Sequence, residues 1–122
     1  MKNYVLIAVS RAGLFLTAAV QAGDAAAGAK VFKKCKACHY VDRKKNKSGP
    51  HLVNVVGRAA GVVEGFKYSK AMAGSGLVWD ETILTGFLAK PKKYLKGTKM
   101  SFAGLKKETD IANVIAYLKA AK

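Results

Sequence analysis

Five consecutive residues, Cys35-Lys36-Ala37-Cys38-His39, constrain this chain more than any other stretch. On one turn, two thiols three residues apart can reach the two vinyl groups along one edge of a porphyrin. The next residue then faces the iron with an imidazole. The run therefore carries the C-x-x-C-H signature of covalent haem attachment. Other chemistries share parts of the pattern. A bare C-x-x-C serves as a dithiol redox pair, normally in a βαβ context, and no strand-rich stretch lies nearby. Cys35, Cys38, His39 and His51 are the only Cys and His in the sequence. Their number permits a Cys₂His₂ zinc site, although adjacent Cys38 and His39 make poor shared ligands. A Cys35–Cys38 disulfide is the plainest alternative.

With 122 residues the chain is long enough for one domain with one modest core. The net charge is +15, yet 51% of the residues are apolar, which argues against disorder. Residues 1–22 have the pattern of a signal peptide. Lys2 gives a basic start, Tyr4 to Val9 and Ala12 to Val20 are apolar, and Val20-Gln21-Ala22 puts small residues where a signal peptidase reads. Arg11 interrupts the apolar stretch, which also falls short of the ~20 clean apolar residues of a spanning helix. The expectation is cleavage after Ala22, leaving residues 23–122 as the mature domain.

Beyond residue 22, helical periodicity is the dominant pattern. Asp24 can cap a helix on which Gly28, Val31, Phe32 and Cys35 share one face. Lys33, Lys34 and Lys36 stand near its C-terminal end, where cations suit the helix dipole. Residues 40–65 have no sustained period and read as a long loop, which a compact domain tolerates when it wraps around something. Ser69 can cap a short helix to Ala73. Asp80-Glu81 starts another, limited by Pro91, with Gly86 unfavourable inside it by roughly 1 kcal/mol against Ala. Gly97 to Leu105 reads as a loop. Thr109 or Asp110 caps a last helix with the stripe Ile111, Val114, Ile115, Leu118. The fold class expected is all-α, a single domain without repeats.

Together with these elements, Gly49-Pro50-His51-Leu52, Val56-Gly57-Arg58, Gly65-Phe66-Lys67-Tyr68-Ser69, Leu77-Val78-Trp79 and Gly97-Thr98-Lys99-Met100-Ser101-Phe102 make the chain resemble a class I c-type cytochrome. The resemblance is to the cytochrome c2 group, near mitochondrial cytochrome c, and runs from about Gly23 to the end. It implies the cytochrome c fold, with three main helices, short helices and loops wrapped around one covalent haem c. It also implies a role for each matching residue. Cys35 and Cys38 are the thioether anchors. His39 is the proximal iron ligand and Met100 the distal one. The carbonyl of Pro50 accepts a hydrogen bond from the His39 imidazole. Arg58, Tyr68, Trp79 and Thr98 enclose the buried propionates, and Gly28, Phe32 and Tyr117 join the first and last helices. The sequence departs from the family at Lys96, where proline is common, at Phe87 in place of a tyrosine, at Met72 in place of an asparagine, and at His51, which otherwise reads as a surface or loop histidine.

The function implied is a periplasmic, monomeric single-haem carrier rather than an enzyme. It would shuttle one electron between membrane redox complexes, a cytochrome bc1-type donor and an oxidase or reaction-centre acceptor. Periplasmic export suits covalent haem attachment in bacteria. A soft thioether ligand and an apolar pocket both favour reduced iron, so a positive potential is expected. Lysines flank both ligand segments, namely Lys33, Lys34 and Lys36, then Lys92, Lys93, Lys96 and Lys99. They are expected to steer the chain toward acidic docking faces. Two rivals stand beside this reading. A haem peroxidase or gas-binding cytochrome would keep a labile sixth ligand, which Lys96 makes believable. A basic nucleic-acid or anionic-lipid binder is permitted by charge, but the aromatics are not interleaved with the basic residues, and no specific nucleic-acid partner is expected. Peripheral membrane encounters are compatible with the charge. No P-loop or dinucleotide fingerprint is present.

Overall fold

A computed structural model describes residues 23–121; the expected signal peptide, residues 1–22, lies outside the described residues. Among the described residues five helices succeed one another: α1 (Ala25–Phe32), α2 (Lys70–Ala73), α3 (Glu81–Ala89), α4 (Pro91–Tyr94) and α5 (Glu108–Ala120). The only β pairings among them are two isolated bridges, His39 with Asn46 and Ala59 with Val78.

The helix starts are set by side-chain capping. Asp24 Oδ1 accepts from the amides of Ala26 and Ala27, Ser69 Oγ from Met72, and Asp80 Oδ1 from Ile83. Each takes up an amide that the first turn would otherwise leave without a partner. α5 departs from the expected Thr109 or Asp110 cap. It starts at Glu108 after Lys107, whose side chain makes no capping bond. Glu108 and Asp110 both fall in the first turn, where their charges favour the positive end of the helix dipole. Pro91 was expected only to end α3. It also starts α4, at the first helical position, where a missing amide costs nothing.

Among the described residues, α1 and α5 make the most extensive helix pairing. A Cβ on Gly28 would collide with the backbone carbonyl of Asn113 and fall 2.8 Å from the Tyr117 Cβ, so only glycine lets the helices approach this closely. The Phe32 and Tyr117 rings lie 5.2 Å apart beside this crossing, and the Asp24 amide donates to Asn113 Oδ1 at 2.9 Å. α3 packs on α5, and Leu84, Phe87, Ile111, Val114, Ile115 and Leu118 are buried with Phe32 in one core. Gly86 is explained by its neighbour: the Tyr94 ring of α4 lies across it, 2.6 Å from where a Cβ would stand.

Residues 40–65 contain no helix. Backbone pairing nonetheless holds part of this loop beside the segment before α3. Gly57 donates to Trp79, Trp79 to Arg58 and Ala60 to Leu77, at 2.7, 2.9 and 2.8 Å. This ladder sets Arg58 and Trp79 side by side.

Candidate haem site

α1 ends at Phe32, short of the face expected to reach Cys35, but the chain keeps turning. Cys35 donates its amide to the Phe32 carbonyl at 2.8 Å and His39 to the Cys35 carbonyl at 3.0 Å. One compact turn thus carries Cys35, Cys38 and His39. No disulfide joins Cys35 to Cys38. Burial pushes the Cys35 thiol up, as does Cys38, while Lys34 opposes.

His39 is held from two directions. Its Nδ1 stands 2.6 Å from the Pro50 carbonyl, so Nδ1 carries the proton and donates, which leaves Nε2 with its lone pair. Its ring also lies against Gly49, where a Cβ would fall 2.8 Å from Nδ1 and 2.9 Å from Nε2. Burial, the largest influence, lowers the His39 pKa, while the Pro50 contact raises it and Arg58 lowers it further.

His39, Cys35, Cys38 and Met100 line one cavity of about 270 Å³, with Pro50, Arg58, Tyr68, Trp79 and Thr98 also in its wall. All nine site residues named from the sequence therefore meet in one place. Met100 comes from the loop between α4 and α5. Its amide donates to Thr98 Oγ1 at 3.3 Å, and the Thr98 amide donates to the Leu95 carbonyl at 3.1 Å. At its far end the same loop is pinned by the Leu105 amide, which donates to the Leu88 carbonyl at 2.8 Å.

The polar wall centres on Arg58. Its Nη1 and Nη2 donate to the carbonyls of Val53 and His51, both at 3.0 Å. Its Nε is buried with no partner, and burial holds the guanidinium pKa below its usual value, with Tyr68 opposing. The Tyr68 hydroxyl accepts the Val63 amide at 3.0 Å and keeps its own proton to donate.

These features fit a haem. Two thiols, an imidazole whose Nε2 keeps its lone pair and a thioether line the same cavity. The orphaned Arg58 Nε is a donor in want of an anionic acceptor such as a propionate. The zinc alternative fails on geometry: among the described residues no group of three or more His, Cys, Asp or Glu gathers.

Sequence reasoning missed three contributors. Gly49 backs the imidazole. Asn46 clasps two loops, Nδ2 donating to the Glu64 carbonyl and Oδ1 accepting from the His51 amide, both at 3.1 Å. His51, expected to be a surface or loop histidine, does lie in the loop, half-buried, and what the sequence did not show is that its carbonyl accepts from Arg58. Glycine before Pro50 was a signal for the first. Nothing local could have revealed Asn46, whose Glu64 partner is a backbone carbonyl brought near by folding, whereas His51 takes the amide of Val53, only two residues on, and the guanidinium of Arg58. Met72, read as core packing, does pack against the core but also lines the cavity.

The chain is similar to known proteins over most of its length. A family model described as Cytochrome c matches residues 25–122. The chain is 56% identical over 89 residues to cytochrome c2 iso-2 of Magnetospirillum fulvum, covering 73% of this chain and 93% of that one. It is 47% identical over 119 residues to cytochrome c2 of Rhodomicrobium vannielii, covering 97% of this chain and 95% of that one. Among solved structures, cytochrome cH from Methylobacterium extorquens superposes with a TM-score of 0.77 at 48% identity, covering 80% of this chain and 99% of that one.

Proposed function

The chain belongs to the cytochrome c family, as a single-haem electron carrier of the c2 group, and we propose that it holds its haem c iron between His39 and Met100 and shuttles electrons in the periplasm between membrane redox complexes. When bound, the haem supplies a one-electron ferric/ferrous couple. The protein's part is to keep the surroundings of that couple nearly constant. Cys35 and Cys38 form the thioether anchors. Pro50 fixes the His39 ring so that only Nε2 is available to a metal. Thr98 holds the backbone of Met100, whose soft sulfur favours the reduced state. Arg58, Tyr68, Trp79 and Thr98 receive the propionates.

The observation that carries this reading is the 2.6 Å contact from His39 Nδ1 to the Pro50 carbonyl beside a cavity that Met100 also lines. Docking to acidic faces is supported by the run of cations in both ligand segments. Between Lys90 and Lys107 there is no acidic residue, and between Lys30 and Lys47 there is only Asp42. The expected leader, residues 1–22, supports export. Among the described residues no helix is long and apolar enough to cross a membrane.

The test is spectroscopic. Protein matured in cells that attach haem should give a pyridine haemochrome of the c type, and its oxidised form should show the long-wavelength sulfur charge-transfer band. Met100→Ala should lose that band and bind carbon monoxide readily. A Met100→Ala protein with an unaltered oxidised spectrum would overturn the ligand assignment, and rapid carbon monoxide binding by the unmutated protein would favour the ligand-binding alternative.

A further inference from the structure

Backbone and ring of His51 both turn toward Arg58. The His51 carbonyl accepts from Arg58 Nη2 at 3.0 Å, and Arg58 Nη1, bonded to the Val53 carbonyl, lies 3.5 Å from His51 Nδ1. The same Nδ1 accepts the Val53 amide at 3.2 Å. Nδ1 is therefore an acceptor, and the proton of the neutral ring sits on Nε2. The His51 amide is tied to Asn46 Oδ1. With Nη1 and Nη2 committed in this way, Nε is the Arg58 donor left without a partner beside the cavity.

We propose that His51 is a positioning residue for Arg58 and the point at which proton binding is linked to the electron. This rests on the reading of the cavity as a haem site. In the neutral ring, Nδ1 fixes the 51–53 turn whose carbonyls orient the guanidinium. A proton taken from water at Nδ1 turns that acceptor into a donor. The Val53 amide then loses its partner, and an imidazolium faces Arg58. The extra positive charge beside the cavity favours the reduced state. Reciprocally, one electron from the redox partner lowers the local charge by one and favours uptake of a proton from water by His51. No bond at His39 or Met100 need change.

Burial, the largest influence, lowers the pKa of the ring, and the charged groups that act on it, Arg58 and Lys44, both positive, lower it further. Asn46 meets its backbone and does not titrate. The coupling therefore lies on the acid side of the ordinary histidine value of about 6.5.

The experiment is a spectroelectrochemical titration of the intact haem protein from about pH 8 to about pH 4.5, for the unmutated chain, His51→Asn and Arg58→Gln. Asparagine keeps an acceptor but cannot titrate, and glutamine removes the positive charge that faces the ring. The unmutated protein should show a midpoint potential that rises as the pH falls through the acid limb. His51→Asn should lose that rise while keeping its oxidised spectrum, and Arg58→Gln should displace the limb toward higher pH. A flat profile in the unmutated protein, an unchanged limb in His51→Asn, or an unmoved limb in Arg58→Gln would each overturn the proposal. Should His51→Asn fail to mature, the other two profiles still decide. Failure of the haem reading is separately visible, since the unmutated protein would then lack the c-type spectrum at every pH.

Discussion

Gly49 lies against the His39 imidazole so closely that a Cβ would fall 2.8 Å from Nδ1 and 2.9 Å from Nε2. Gly49 is itself buried, and its amide donates to the Cys38 carbonyl at 2.9 Å. Neither side of this contact is free to yield, because the His39 ring is also tethered to Pro50. Gly49→Ala should therefore push the ring off its Pro50 contact. Overpacking of this kind costs about 1–3 kcal/mol. The expected outcome is a lower urea midpoint and a fraction of high-spin iron in the oxidised spectrum. An alanine variant with unchanged stability and spectrum would show that the ring and the loop can part without cost.

Asn46 offers a second test, away from the cavity's ligands. Its side chain joins the Glu64 carbonyl and the His51 amide, so one residue ties together two stretches of a segment that has no helix. Asn46→Ala would remove both bonds and leave their backbone partners to water or to nothing, at a cost of about 1–3 kcal/mol. Faster hydrogen exchange at the His51 amide should accompany a lower unfolding midpoint, with the iron ligands unchanged in the spectrum. Asn46→Asp should do less harm at His51, since a carboxylate still accepts that amide.

Residues such as these mark where the sequence stops being readable. The caps at Asp24, Ser69 and Asp80 are legible because cap and amide lie within three residues of each other. The thiols and imidazole are legible because covalent haem chemistry demands one spacing. Met100 was identifiable only through its flanking motif, since a lone methionine usually packs a core. Asn46 reaches across 18 residues to a backbone carbonyl, and a carbonyl leaves no mark in the sequence. The role of Gly86 was hidden for the same reason: its propensity cost is visible locally, while the Tyr94 ring that requires it arrives from the next helix.

Stability should depend on pH through His51. Burial, Arg58 and Lys44 lower its folded pKa, so below about pH 6.5 the unfolded chain binds more protons at this site than the folded one. The stability linked to the neutral ring is present above that pH and is lost as the pH falls through the unfolded value toward the folded one. The unmutated protein should thus lose denaturant resistance between about pH 7.5 and about pH 5 faster than His51→Asn does. Parallel curves for the two proteins would show that the ring titrates alike in both states.

The distribution of charge yields the last prediction. Five of the seven acids stand at helix starts: Asp24 and Asp80 as caps, Glu81, Glu108 and Asp110 in first turns. Local helix energetics thus account for most of the negative charge. The dipole of α4 accounts for Lys92 and Lys93 in its last turn, but no helix accounts for Lys96 and Lys99, which are exposed and lie in the loop that brings Met100 to the cavity. A field of one sign beside the site raises the rate of encounter with an acidic partner, and salt screens it over about 10 Å at 0.1 M. Electron transfer with an acidic redox partner should therefore slow by about tenfold or more from low to high ionic strength. Lys99→Glu should slow the low-salt reaction and flatten its salt dependence. Lys119→Gln should do much less, since Lys119 already pairs with Glu81. Stopped-flow rates at several salt concentrations provide the measurement, and equal effects of the two substitutions would mean that net charge, not its placement near Met100, guides the encounter.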